Sequence, residues 1–287
     1  MKYAFIKAQN QHHNVSRLVS ALGVSASGYY AWLSRPESTR AKTNQALLTK
    51  IQFFHKASRC IYGSPRIHKD LVAQGEKVNR KRVERLMRTH GIQSKMARKF
   101  VITTNSKNTL APAPDYLQRQ FSMPDKNQAW VTDTTFIETR QGWLYLAVVI
   151  DLYSRMVIGW SMGDKNNGVL VQDALTMAIW RRGNAKDVIV HSDRGSTYAS
   201  SAYQQQLLSH QLICSMSRKG ECLDNAVAES FFGTLKTELC DHEDYKTKAE
   251  AKQSLFEYIE VFYNRQRRHS YLGYVCPVEY ERHRASL

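Results

Sequence analysis

The chain has 287 residues, and its 41 Lys and Arg against 25 Asp and Glu give a formal net charge of +16. No run of about 18 apolar residues occurs, which excludes a membrane-spanning helix. The first residues lack the long apolar stretch and the small-residue cleavage site of a secretory signal. Five scattered cysteines without a C-x-x-C pair are typical of a reducing compartment, so we expect a cytoplasmic protein.

The positive charge is confined to the first part of the chain. Residues 1–123 contain 22 Lys and Arg against five Asp and Glu, whereas residues 124–287 contain 19 against 20. The natural partner of so basic a segment is the phosphate backbone of a nucleic acid. A basic surface that serves only solubility, or one that contacts a membrane surface, is the alternative.

Two short helices are predicted within residues 1–43. The first covers Val15–Leu22 and is closed by Gly23, and the second covers Ala26–Leu33 after Ser25 as its N-cap. Two helices joined by a Gly-containing turn are typical of a helix-turn-helix motif. A small helical hairpin packed on its aromatic side chains explains the same pattern, and both interpretations stay open.

A second and strongly basic helical region is predicted over residues 44–102. It contains an amphipathic helix over Asn44–Ala57 and, after Asn79 as N-cap, a helix over Arg80–His90. The second helix has an apolar face and a cationic face, which suits a recognition helix in a DNA groove. Its predicted DNA contacts are Arg80, Lys81, Arg82, Arg85 and Arg88. A solvated charged face is the alternative, and residues 103–123 are predicted to be a linker.

Strands and helices alternate over residues 124–245. Three closely spaced strands come first, and a helix, a strand, a helix, a strand and a helix follow. This order predicts an α/β fold with a mixed sheet and helices on both faces. The predicted elements are Ala129–Glu138, Leu144–Asp151, Met156–Met162, Val169–Trp180, Val188–His191, Ser200–Ser209, Leu212–Met216 and Asp224–Leu239. Residues 246–287 are predicted to be a helical extension with a helix over about 248–264.

Three acidic residues carry the chemistry that we predict. Asp133 lies in the first strand, Asp193 follows the fourth strand after 59 intervening residues, and Glu229 lies on a helix after 35 more intervening residues. Parallel neighbouring strands bring the two aspartates to one edge of the sheet. Three close carboxylates repel one another unless cations lie between them, so we predict two Mg²⁺ ions, with Mn²⁺ as a substitute, in a site for phosphoryl transfer. Singly, each acid has a plainer explanation as a turn, a cap or a helix-pair residue.

Four further residues lie near these acids in the sequence. Asn225 and Lys236 share a helix face with Glu229, and both are predicted to contact DNA, although an exposed lysine is an equal alternative for Lys236. Asp151 ends the second strand and is either an outlying metal ligand or a turn residue. Asp224 is predicted to cap the Glu229 helix.

At these residues the chain resembles a known family, the integrase-core transposases encoded by the second reading frame of bacterial insertion sequences, which are relatives of retroviral integrases. Seven motifs over about residues 57–280 carry the resemblance: YGSPRI, NRKRVERLM, NQAWVTDTTFI, YLAVVIDLYSRMVIGW, HSDRGSTY, DNAVAESFFGTLKTEL and YNRQRRHSYLGY. It implies a ribonuclease-H-like mixed five-stranded sheet flanked by helices and preceded by a small all-α helix-turn-helix region. It also implies that Asp133, Asp193 and Glu229 are the catalytic and metal-binding triad.

The resemblance also implies a reaction and its partners. The expected reaction is cleavage at the element ends and transfer of the 3′-hydroxyl to target DNA. The expected partners are double-stranded DNA, namely the terminal inverted repeats and the target, and further copies of the chain assembled on that DNA in the bacterial nucleoid. Members of the family are often fused to an upstream-frame product, and no long heptad pattern replaces its coiled coil here. No zinc is expected, because His12 and His13 have no matching cysteine pair.

Two other functions fit part of the pattern. A DNA-binding regulator with an inactive core would use the basic helices and would have no need of the three acids. A recombinase with a nucleophilic tyrosine or serine is suggested by Tyr271 beside Arg268 and His269, and it would form a covalent adduct with DNA. The intact set of acids favours the transposase.

Overall fold

The structure, a computed structural model, describes residues 1–95, 113–218 and 222–284. Six helices occupy the first of these ranges: α1 Lys2–Gln9, α2 Val15–Ala21, α3 Ala26–Ser34, α4 Thr39–Ala57, α5 Ser64–Ala73 and α6 Arg80–Thr89. Ser25 caps α3 as predicted, since its Oγ accepts from the Gly28 N–H at 3.1 Å. Helix α1 was not predicted, because no side-chain cap marks its start. None of the helices in the described ranges is long and apolar enough to cross a membrane.

Five strands in the described ranges form one mixed sheet in the order β3-β2-β1-β4-β5. Strand β1 is antiparallel to β2 and parallel to β4, while β2–β3 is antiparallel and β4–β5 is parallel. The strands are β1 Ala129–Ile137, β2 Leu144–Asp151, β3 Val157–Gly163, β4 Ile189–Ser192 and β5 Ile213–Met216. The predicted mixed sheet with a helical crossover is therefore confirmed.

Helices cover both faces of this sheet. They are α7 Gly168–Arg181, α8 Ser201–Ser209, α9 Ala226–Glu238 and α10 Lys248–Phe256. Trp130 of β1 packs into the apolar cluster that includes α7 and α8, whereas its neighbour Val131 packs into the cluster that includes α9 and α10. Successive strand residues point to opposite faces, so β1 is buried on both sides.

The basic helices α4–α6 share one apolar core with the sheet. Ile51, Ile67 and Leu86 belong to the same cluster of buried residues as Val131 of β1 and Leu235 of α9. Within the predicted linker, residues 103–112 lie outside the described residues. The described part of that linker contributes the buried Leu117 to the same core.

The C-terminal segment packs against strand β3. The helix predicted over about 248–264 is confirmed, and its second half is a π-helical stretch, Glu257–Tyr263, that continues α10. Helix α11 follows over Pro277–Arg284. The Asn264 side chain pairs with the backbone of Val157 in β3, because its Oδ1 accepts from the N–H at 3.0 Å and its Nδ2 donates to the carbonyl at 2.9 Å. These two bonds occupy the backbone of the edge strand β3 at its first residue.

Helix α7 approaches β3 closely at Gly159. A Cβ atom at this position would lie 2.2 Å from the carbonyl oxygen of Ala174 and 2.8 Å from the Cβ of Ala178. We predict that Gly159→Ala lowers the free energy of unfolding by about 1–3 kcal/mol, because helix and sheet must move apart. Urea denaturation measures the change. Gly168→Ala is the control, since nothing lies within 4 Å of a Cβ there, and equal losses in both variants would contradict the steric explanation.

Candidate active site

The register of β1 and β4 brings two of the predicted acids to the same edge of the sheet. Val131 of β1 pairs with His191 of β4 in parallel register, and Asp133 and Asp193 each follow two residues later. Asp193 comes directly after the last residue of β4. Asp133 therefore lies in the middle of β1, level with the residue that follows the carboxyl end of β4, and open α/β sheets hold their ligands at such strand ends.

Asp133 is the acid most affected by its surroundings. Burial, the Asp193 charge and, to a lesser extent, the Glu229 charge raise the pKa of Asp133 to about 8. The Thr134 N–H, which donates to Asp133 Oδ1 at 2.7 Å, and the ammonium of Lys236 act in the opposite direction. The effect of both other acids on one carboxyl means that the three charges lie within electrostatic reach of one another.

A tight turn holds Asp193. Its Oδ1 accepts from the Gly195 N–H at 2.8 Å, and a Cβ on residue 195 would lie only 2.9 Å from that oxygen. Burial raises the pKa of Asp193, and the hydrogen bond from Gly195 opposes this rise. The glycine of the HSDRGSTY motif therefore lets the backbone come close to the carboxylate.

Glu229 lies in the first turn of α9, on the side of the sheet that carries α10. Its side chain is exposed, and partial burial of the carboxyl raises its pKa. In the described part of the chain, no three His, Cys, Asp or Glu side chains are arranged so that they could hold a metal ion. The three carboxylates therefore interact electrostatically, but in this structure they do not converge on one metal position.

Asp224 does not cap α9, so that prediction is wrong. The helix is preceded by a 3₁₀ turn over Cys222–Asn225, so Asn225 is the N-cap, and its side chain accepts no capping hydrogen bond from the helix. Asp224 instead accepts from Arg119 Nε at 2.6 Å and from the Arg218 N–H at 3.0 Å. Burial alone would raise the pKa of Asp224, but the hydrogen bonds from Arg218 and Arg119 outweigh it and hold that pKa well below its ordinary value.

Asn225 links the start of α9 to the strand that carries Asp133. Its Nδ2 donates to the carbonyl oxygen of Thr132 at 3.3 Å, while its Oδ1 is buried without a hydrogen-bond partner. The hydroxyl of Thr132 lies 3.3 Å from the hydroxyl of Tyr198, which is buried. We did not predict this role for Tyr198. The sequence signal for Tyr198 was its place as the last residue of the HSDRGSTY motif, shortly after the turn that holds Asp193.

Lys236 lies beside the acids and is only half-buried. Its Nζ is 5.1 Å from the ring centroid of Phe136 on β1, and its charge lowers the pKa of Asp133. An ammonium held here can contact a phosphate near the carboxylates.

Asp151 has a structural role and belongs to the turn after β2. Its carboxylate accepts from the N–H groups of Asn127 and Tyr153 at 3.0 and 2.9 Å, and it pairs with Arg182 at 3.2 Å. These partners occupy both oxygens, so the turn interpretation explains Asp151 without a metal.

The cations of α6 divide into two groups. Arg80, Lys81, Arg85 and Arg88 are exposed, and the apolar residues of the helix are buried as predicted. Arg82 is half-buried and donates to Asn44 Oδ1 at 2.9 Å and to Thr43 Oγ1 at 3.0 Å. It therefore ties α6 to α4, and four cations form the exposed basic face.

Comparisons with known proteins agree with this architecture. Two family models described as "Integrase core domain" match residues 124–222 and 229–284, and one described as "HTH-like domain" matches residues 42–100. Transposase InsF for insertion sequence IS3A of Escherichia coli (strain K12) is 41% identical over 283 residues, which cover 98% of each chain. An uncharacterized 31 kDa protein of insertion element IS600 from Shigella sonnei is 41% identical over 265 residues, 92% of this chain and 97% of that protein.

Among solved structures, the integrase catalytic core domain of HTLV-2 in complex with magnesium is similar at 17% identity with a TM-score of 0.42, over 55% of this chain and 98% of that one. The fold and the family models define a polynucleotidyl transferase with an integrase core. The chain belongs to the family of insertion-sequence transposases and is a DNA transposase. None of these similarities favours a regulator with an inactive core.

The Asp224 contacts lead to a prediction about α9. Asp224→Asn removes the charge that holds Arg119 and Arg218 at the start of the helix, and we expect the free energy of unfolding to fall by about 1–3 kcal/mol. Urea denaturation measures this loss. Asp164→Asn is the control, because it breaks only an exposed pair with Lys248 and should leave stability unchanged. A fully stable Asp224→Asn variant would mean that these contacts do not hold α9.

Proposed function

We propose that this transposase cleaves DNA strands at the ends of its own insertion sequence and joins the 3′-hydroxyl to target DNA, with Asp133, Asp193 and Glu229 as ligands of two Mg²⁺ ions. One observation carries the proposal. Asp133 lies level with Asp193 on neighbouring parallel strands. The charges of Asp193 and Glu229 both raise the pKa of Asp133.

The donors at this edge of the sheet fit a hard divalent cation. Carboxylate oxygens are the ligands that Mg²⁺ prefers, and Mn²⁺ accepts the same ligands. The buried Oδ1 of Asn225 is a further oxygen without a hydrogen-bond partner. When bound, the two ions would favour ionisation of the attacking hydroxyl and stabilise the leaving oxygen.

The protein's own groups prepare the site for this chemistry. The Gly195 N–H orients the Asp193 carboxylate, and the Thr134 N–H orients that of Asp133. Glu229 is exposed, so its side chain can turn towards the two aspartates without breaking a buried contact. Lys236 supplies a positive charge beside them, where a scissile phosphate would lie.

Recognition of the DNA belongs to the same proposal. The exposed face of α6 (Arg80, Lys81, Arg85 and Arg88) has the charge and the helical form that suit contact with duplex DNA. Lys236 would contact the strand near the acids. Asn225, which was predicted to be a second contact, is 4% exposed and bonded to Thr132, so it would support the site from within the protein. We also propose that copies of the chain assemble on the terminal inverted repeats and the target, with an upstream-frame product fused or associated.

Neutralising any one acid tests the triad. We predict that Asp133→Asn, Asp193→Asn and Glu229→Gln each lower the rate of Mg²⁺-dependent strand cleavage by at least about 10³-fold, because each removes a charged metal ligand. DNA affinity, measured by fluorescence anisotropy, should stay within about twofold. The substrate is a duplex that carries the DNA flanking the coding region of the element.

The control for the triad is Asp173→Asn. Asp173 is an exposed acid on α7, which packs on the face of the sheet opposite α9, so its loss should leave cleavage unchanged. Cleavage at the normal rate in any of the three variants would remove that residue from the triad.

The basic face of α6 is tested through the salt dependence of binding. Arg85→Gln should weaken binding to all DNA sequences alike and reduce the slope of log K against log salt by about 1, because one phosphate contact is lost. Lys186→Gln is the matched control, since Lys186 is exposed just before β4, at the end of the sheet away from Asp193. An unchanged slope in Arg85→Gln would exclude a phosphate contact at that residue.

A further inference from the structure

Helix α9 ends on a buried carboxylate. Glu238 is 6% exposed, and its two oxygens accept from Arg267 Nε and Nη2 at 2.8 and 2.7 Å. The hydroxyl of Tyr258 donates to the same carboxylate at 2.7 Å, and Arg66 Nη1 lies 3.4 Å away. A carboxylate with this many charged and polar donors is held in one orientation.

Arg66 reaches this carboxylate from the basic helical region. It lies on α5, and its Nε also donates to the carbonyl oxygen of Arg268 at 3.0 Å. Tyr62, just before α5, accepts from the Arg268 N–H at 2.7 Å through its hydroxyl oxygen. The guanidinium of Arg268 in turn donates to Asp70 of α5 at 2.5 Å.

Two of the sequence motifs therefore meet at the end of α9. The YGSPRI motif supplies Tyr62 and Arg66, and the YNRQRRHSYLGY motif supplies Arg267 and Arg268. We call these four residues and Glu238 the Glu238 clamp. Neither motif contains a member of the acidic triad, so the proposed chemistry leaves both of them without a role.

The clamp and the catalytic acid share one helix. Glu229 and Glu238 are nine residues apart on α9, about 13 Å along its axis. The other end of α9 is tied to β1 through Asn225. A shift of α5 therefore acts on one end of a helix whose other end carries Glu229 beside the sheet.

We propose that the Glu238 clamp is a positioning element, which couples the DNA-bound helices α4–α6 to the placement of Glu229. This inference rests on the proposed function of Glu229. Buried ion pairs contribute little net stability compared with apolar contacts, whereas their directional bonds fix a register between elements. The clamp adds such a register to an interface that is already apolar, because Ile67 of α5 and Leu235 of α9 share one core.

Separating binding from catalysis tests the clamp. In the full chain, Arg66→Gln should leave the affinity for the flanking-DNA duplex within about twofold, because the exposed face of α6 is untouched. The rate of Mg²⁺-dependent cleavage at saturating duplex should fall at least about tenfold, which is the scale of coupling between two sites. A purely structural role would lower binding and cleavage together, in proportion to the folded fraction measured by circular dichroism.

The matched control is Arg59→Gln. Arg59 also joins the basic helical region to the C-terminal segment, through Glu257 at 3.7 Å, but both side chains are more than 40% exposed. Arg59→Gln should leave both the DNA affinity and the cleavage rate unchanged. Tyr62→Phe is a milder second variant, which keeps the ring and removes only the hydroxyl, and it should lower the cleavage rate by about threefold to tenfold at unchanged affinity.

The outcomes separate this inference from the proposed function. Normal cleavage in folded Arg66→Gln, or in Tyr62→Phe if Arg66→Gln does not fold, overturns the clamp. A joint loss of binding and cleavage, in proportion to unfolding, overturns it as well. The proposed function fails by a different result, namely normal cleavage in Asp133→Asn, whatever the clamp variants do.

Discussion

The placement of α9 is the constraint on which the site depends. Its first residues are held to the catalytic sheet by Asn225, and Asp224 beside them is fixed by two arginines. Its last residue, Glu238, is fixed by Arg267 and by the basic helices. Between these attachments, apolar residues such as Leu235 pack into the core. Glu229 is thus an exposed side chain on a backbone that is fixed at both ends, so it can adjust to a substrate while its Cα stays in place.

Asp133 occupies a strand whose other residues are mostly apolar core. Strand β1 is covered on both faces, and Trp130 and Val131 are fully buried. A carboxyl in such a strand opposes folding, since burial and neighbouring charges disfavour its ionised form. Functional sites commonly contain such locally unfavourable groups, and the surrounding structure outweighs them.

The sequence predicted what depends on local pattern and order along the chain. The alternation of strands and helices was enough to predict the mixed sheet. The crossover between β1 and β4 was enough to predict that Asp133 and Asp193 lie close together. The pairing of Asp224 with Arg119 was missed because the two residues lie 105 positions apart. The pairing of Arg66 with Glu238, across 172 residues, left no local trace either. Pairs of side chains so far apart in the sequence leave no periodic pattern, so their contacts become visible only in the folded structure.

One apolar core runs from Ile51 and Ile67 through Leu235 to Val131, and it has a consequence for how such proteins change over time. A DNA-binding domain that is joined to a catalytic domain only by a flexible linker can be replaced by another such domain. In this chain the helices α4–α6, which we propose bind DNA, share the apolar core that buries one side of α9, so replacing them would expose that side of α9 to water. If α6 reads DNA as proposed, new specificity is expected to arise by substitution of its exposed residues, while the buried residues behind them are retained.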